Sequence, residues 1–210
     1  MQVMSRQRGV SLIRTRRPEH AGGRPSGCGS ARARECGFTL VELLITMAVA
    51  LVLIMIAVPS FKNITLSNKL DTAANDIVNA IHVARMEAVK RNANTQLCSN
   101  SASANGAGTL GGACSTQSGA VYAIAGGGGA SQVLAGTVGI SGAVQLKGDV
   151  TAIRFGGQGL GQKVGTPGSY SGTVADICTS QSQMSKDNHR VITMTTGSIL
   201  VTTTSSGACP

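Results

Sequence analysis

The residues able to do chemistry are few, and their spacing narrows what that chemistry is. Six cysteines stand at positions 28, 36, 98, 114, 178 and 209, with only three histidines in 210 residues. There is no Cys-x-x-Cys, no Gly-x-Ser-x-Gly and no His-Glu-x-x-His. Zinc-type ligand spacing and a nucleophile with its base are therefore both missing from the local patterns. His82 lacks a second ligand one helical turn on, and the stretch Gly156-Gly157-Gln158-Gly159-Leu160-Gly161 lacks the Lys-Ser/Thr of a phosphate loop, so it reads as a turn. Lys186, His189 and Arg190 form a small basic cluster ahead of a strand. Lys186 and Arg190 are its candidate phosphate contacts, without neighbouring aromatics or further cations to support them. No catalytic set, metal site or cofactor is expected.

Two other constellations carry more. Glu42 is the one charge in the run Phe38–Val58, 21 residues without Gly or Pro. A lone carboxylate within apolar sequence is expensive in a bilayer and seeks a partner. The four cysteines after that run suggest disulfides in an oxidising compartment, with three possible connectivities. Cys98–Cys114 and Cys178–Cys209 are expected, because nearest pairs close short loops between adjacent strands.

The elements that must position these residues follow from periodicity. The run 38–58 is long enough, at roughly 31 Å, to span the hydrocarbon of a membrane as a helix, and Pro59 closes it. From Ser60 the pattern becomes amphipathic: Leu70, Ala74, Ile77, Ile81, Ala84 and Ala88 fall on one stripe, with Asn75, Asn79, Arg85, Lys90 and Arg91 elsewhere. No glycine occurs between Phe38 and Asn105. A near-continuous helix of about 54 residues is expected, with Pro59 as its kink. Beyond Asn92, short β-type runs alternate with Gly-rich turns: 95–98, 120–124, 131–134, 143–146, 152–155, 174–178, 190–195 and 199–204. The fold class expected is α+β, a long helix packed on a small antiparallel β-sheet domain.

Charge is distributed as unevenly as glycine. The net charge is +9, from 18 Lys and Arg against 9 Asp and Glu. Residues 1–37 contain eight Arg and two Glu, a net of +6. Basicity that precedes an apolar segment predicts a cytoplasmic N-terminus and an exported C-terminal part, and it weakens the nucleic-acid reading of a high pI. So does an aromatic content of 2%, which leaves little on which bases could stack. A hydrophobic content of 42% with 13% charged residues argues against a disordered polyelectrolyte.

The junction Gly37-Phe38-Thr39-Leu40-Val41-Glu42, with Pro59 as the twenty-second residue after Gly37, resembles the processing signal of type IV pilins and type II secretion pseudopilins. The resemblance implies removal of a basic leader, 1–37, by an inner-membrane prepilin peptidase and methylation of the Phe38 amine. It implies that Glu42 pairs with the N-terminal amine of a neighbouring subunit. It divides the chain into the leader, a membrane and filament-core helix (38–59), an amphipathic helix (60–93) and an exported β domain (94–210). That β domain is similar to the GspH/FimT group, on Cys98 and Cys114, Ile153-Arg154-Phe155-Gly156, and Cys178 with Cys209. The function this implies is that of a minor pilin of FimT type in type IV pilus assembly; the alternative is an H-type pseudopilin of a type II secretion system. The partners implied are other pilins or pseudopilins, the prepilin peptidase, the inner-membrane assembly platform and, before assembly, membrane lipid. Two features depart from the group. The leader is long, and the Gly-Arg-x-Arg motif of DNA-binding FimT proteins is replaced by Gly197-Ser198-Ile199-Leu200. A DNA-uptake receptor role is disfavoured accordingly.

Overall fold

In the computed structural model, residues 38–137 and 140–210 are described. Helix α1 runs from Leu40 to Arg91 with Pro59 inside it. The near-continuous helix expected is present: it runs through Pro59, although proline can donate no backbone bond there. The far end is set by local chemistry. Asn92 adopts φ 46°, Ala93 N–H donates to Ala88 O (3.2 Å) and Asn92 N–H to Val89 O (3.3 Å). This is a Schellman cap, with asparagine in the left-handed position that glycine usually takes.

Among the described residues nine strands follow: β1 (Thr95–Leu97), β2 (Val121–Ile124), β3 (Ala130–Leu134), β4 (Gln145–Leu146), β5 (Ile153–Phe155), β6 (Gly161–Lys163), β7 (Gly172–Cys178), β8 (His189–Thr195) and β9 (Ile199–Ser205), with a short helix α2 (Thr109–Cys114) between β1 and β2. They form two antiparallel sheets, ordered β3-β2-β1-β5-β6 and β4-β7-β8-β9, within the small antiparallel β domain expected. All eight β-type runs lie on strands. Strand β6 and α2 are additions. Part of the predicted turn 156–161 is therefore strand: Gly161 opens β6 because a Cβ there would stand 2.9 Å from both Ile153 and Phe155 side chains.

One core joins the helix to both sheets. The stripe Leu70, Ala74, Ile77, Ile81, Ala84 and Ala88 is buried, together with Leu66, Ala73 and Ala80. It packs with Leu97, Val121, Ile153 and Phe155 of the first sheet and Val174, Ile177, Ile192 and Met194 of the second. Alanines along the stripe let strands approach the helix closely, so the core needs only one buried phenylalanine, Phe155. Buried Thr95 ties the sheet to the helix directly, its hydroxyl donating to Ala84 O at 2.7 Å.

Candidate processing and assembly site

The N-terminal end of α1 is built by Thr39. Its hydroxyl accepts from Glu42 N–H (3.2 Å) and its carbonyl from Leu43 N–H (3.1 Å). Thr39 is thus the cap, and Glu42, three residues on, occupies the acidic position of a Thr-x-x-Glu capping pattern in the first turn. Sequence reasoning missed this local role, although the spacing signals it. Phe38, Leu40, Val41, Leu43 and Leu44 around Glu42 are exposed, Phe38 to 73%. The apolar window of α1 is long enough to cross a membrane and has none of its residues buried within the chain. Gly37, the residue before the expected cut, lies outside the described residues, as do the rest of 1–37 with Cys28 and Cys36.

The cysteines of the β region are joined as Cys98–Cys114 and Cys178–Cys209, with Cα atoms 5.3 and 5.8 Å apart. Each bond has a buried asparagine beside it. Asn105 accepts from Ser99 N–H (2.7 Å) and donates to Ser99 O (3.0 Å) and Ser115 O (2.8 Å). It thereby links the residue after Cys98 to the residue after Cys114. Asn188 accepts from Gly207 N–H (3.1 Å) and donates to Thr179 O (3.1 Å) and Gly207 O (2.9 Å), linking the residue after Cys178 to the C-terminal tail. Neither asparagine was singled out in the sequence, because nothing local distinguishes them from turn residues.

The basic cluster separates. Lys186 is exposed. Arg190 is buried, and all its guanidinium nitrogens are engaged: Nε with Asp71 Oδ1 (2.5 Å), Nη2 with Ser67 Oγ (3.0 Å), and Nη1 with the carbonyls of Asp187 (2.8 Å) and His189 (3.1 Å). β8 presents Arg190 to the helix, where it pairs with Asp71. His189 is buried too, its Nδ1 2.8 Å from Asp176 Oδ1. At the position of the missing arginine motif, the β8–β9 turn is tied down. Gly197, at φ +69°, has no room for a Cβ against Gly161 O (2.5 Å). Its N–H donates to Tyr170 O, its carbonyl accepts from Gly161 N–H, and Arg85 Nη1 donates to Ser198 O at 3.2 Å. Arg85, which the periodicity places off the apolar stripe, is thus a fold contact. Among the described residues no group of three or more His, Cys, Asp or Glu is placed to hold a metal.

Two family models match the chain. Residues 73–200 match the model described as type II transport protein GspH, and residues 32–58 match the prokaryotic N-terminal methylation motif. The second match spans the Gly37–Phe38 junction and the whole apolar run to Val58. No curated protein and no solved structure matches.

Proposed function

The chain belongs to the type II transport protein GspH family, and from that membership, with the methylation motif at its apolar end, we propose that it is a minor pilin of FimT type. In this reading it is an assembly subunit and not an enzyme. A prepilin peptidase cleaves after Gly37 and methylates Phe38. The helix from Phe38 to Pro59 holds the subunit in the inner membrane, N-terminus cytoplasmic and β domain exported, before packing into a filament. The observation that carries the reading is the register of Phe38, Glu42 and the uncharged run behind them. The four paired cysteines support export to an oxidising compartment and, by their positions, the FimT type. The segments 38–59, 60–93 and 94–210 keep their proposed roles, although α1 runs through the first boundary.

The second reading, an H-type pseudopilin of a type II secretion system, is favoured by the description of the matching family. A deletion strain separates the two. Loss of sheared surface pili with secretion intact supports the pilus subunit, and lost secretion with normal pili makes it the pseudopilin. Mass spectrometry of the mature chain is expected to find an N-methylated Phe38 terminus; an intact leader would overturn the processing role. For Glu42, the expected result is that Glu42→Val leaves the chain in the membrane fraction but out of filaments. A DNA-uptake role stays disfavoured in this reading, since the arginine motif is absent and Arg190 pairs with Asp71.

A further inference from the structure

Just beyond the apolar run, α1 has a collar that the packed domain leaves open. Phe61 and Ile64 remain 71% and 57% exposed. Lys62 and Lys69, the only charged residues between Pro59 and Leu70, are exposed. They lie seven residues apart, on one helix face about 10 Å from each other. Among the described residues neither is in an ion pair. The nearest carboxylate along the chain, Asp71, is already held by Arg190.

Phe61, Thr65 and Lys69 stand between two open grooves of about 420 and 550 Å³, walled on one side by Gln181 and Gln183 and on the other by Ser141 and Val144. Gln183 also borders a third cavity that contains Lys186, Asp187 and Arg190. The charges facing this rim are therefore Lys62, Lys69 and Lys186 against Asp187, with Arg190 and Asp71 neutralising each other. Side chains on a helix lean toward its N-terminus, which here is toward the apolar run. Lys62, about 6 Å past Val58, therefore leans back toward a headgroup layer, and Lys69, about 16 Å past it, faces that layer at roughly a Debye length.

We propose that this rim faces anionic phospholipid headgroups, with Lys62, Lys69 and Lys186 drawn to the phosphates, Phe61 at the edge of the hydrocarbon and Ile64 among the headgroups. The inference rests on the reading that residues 38–58 span a bilayer. It assigns the membrane-anchored subunit a defined lipid contact on the domain itself, which would hold the domain against the surface until extraction into a filament. Each lysine near an anionic leaflet contributes about fivefold in affinity, and the contact is screened by salt.

The test uses the full chain in lipid nanodiscs, with lysine acylation rates read residue by residue by mass spectrometry. The expected result is slower labelling of Lys62, Lys69 and Lys186 in discs containing phosphatidylglycerol than in phosphatidylcholine discs, reversed by high salt, with Lys90 and Lys163 unchanged. Equal rates in the two discs overturn the proposal while leaving the spanning helix intact. Protection by inorganic phosphate in phosphatidylcholine discs reassigns the site to a free anion. Protection that requires two copies per disc reassigns it to a subunit interface. A chain that fails to enter discs at all removes the spanning reading, and the proposal with it.

Discussion

Arg190 shows how a residue type misleads until its neighbours are known. As a sequence letter beside Lys186 it is a cation before a strand. In the fold it is a buried fork whose side chain is 8% exposed, set against an Asp71 side chain that is 49% exposed. The asymmetry gives a graded expectation. Arg190→Ala removes every donor at once and costs about 1.5–3 kcal/mol, in the range for hydrogen bonds to charged groups. Arg190→Lys recovers only part of that, because an ammonium cannot reproduce the fork. Asp71→Asn costs least, since its carboxylate is half hydrated already. Denaturant unfolding of the three variants in detergent checks the order; equal losses would show that the geometry is not what matters. The two buried asparagines teach a related lesson. They were unreadable in advance because their value lies in reaching backbone on two segments at once, and only the closed loops bring those segments together.

At the scale of elements, the second half of α1 was legible because burial imposes a period. Ile77 is fully buried and Asn79 exposed. Ile77→Ala is expected to lose about 2–5 kcal/mol and Asn79→Ala less than about 0.5 kcal/mol, by thermal or denaturant unfolding. The last turn carries a pH-dependent term. Glu87 bonds Arg91 at 2.6 Å and Lys90 at 3.4 Å. Chiefly the Arg91 hydrogen bond holds its carboxyl below the ordinary value of 4.5; desolvation opposes it, and the Lys90 hydrogen bond adds a lesser lowering. A lowered carboxylate contributes stability that is present above that ordinary value and is lost as pH falls through the lowered one. Glu87→Gln should therefore flatten the acid limb of the stability profile slightly and leave neutral pH almost untouched; an unchanged acid limb would show the pair to be inert. The elements that escaped the sequence were the short ones. Strand β6 has three residues, one of them the glycine that lets it approach β5, so it carries no alternation to read. Helix α2 contains two glycines in six residues and takes its place beside a disulfide rather than by propensity.

For the molecule as a whole, the C-terminal tail is the clearest point of dependence. Cys209 ties it to β7 across 31 residues, and Asn188 holds Gly207 beside it. Cys209→Ser is expected to cost about 2–4 kcal/mol and to make residues 206–210 protease-sensitive, while Asn188 keeps part of the tail in place. Limited proteolysis before and after reduction checks this, and a tail equally resistant in the variant would mean that Asn188 suffices. The same scale separates the two ends of α1. One is apolar and unburied within the chain; the other is striped and packed on two sheets. A single helix can serve a membrane and a domain in succession only if its surface pattern changes partway along, and it does so near Pro59.

The amino-acid sequence alone determined the features that depend on local pattern. These are the apolar run with its single Glu42, the amphipathic stripe from Leu70 to Ala88, the alternating segments that became strands, and the resemblance carried by Gly37 and Phe38. Each is written in consecutive residues or in a fixed period, and hydrophobic burial enforces it wherever the chain folds. The tertiary structure decided the partition into two sheets, the turn of Arg190 and His189 away from solvent, the pinning of Ser198 by Arg85, and the asparagine clamps beside the disulfides. All of these join positions far apart in the chain. Their stability depends on which donors and acceptors lose water together, and that is settled only when the helix and both sheets close on one core.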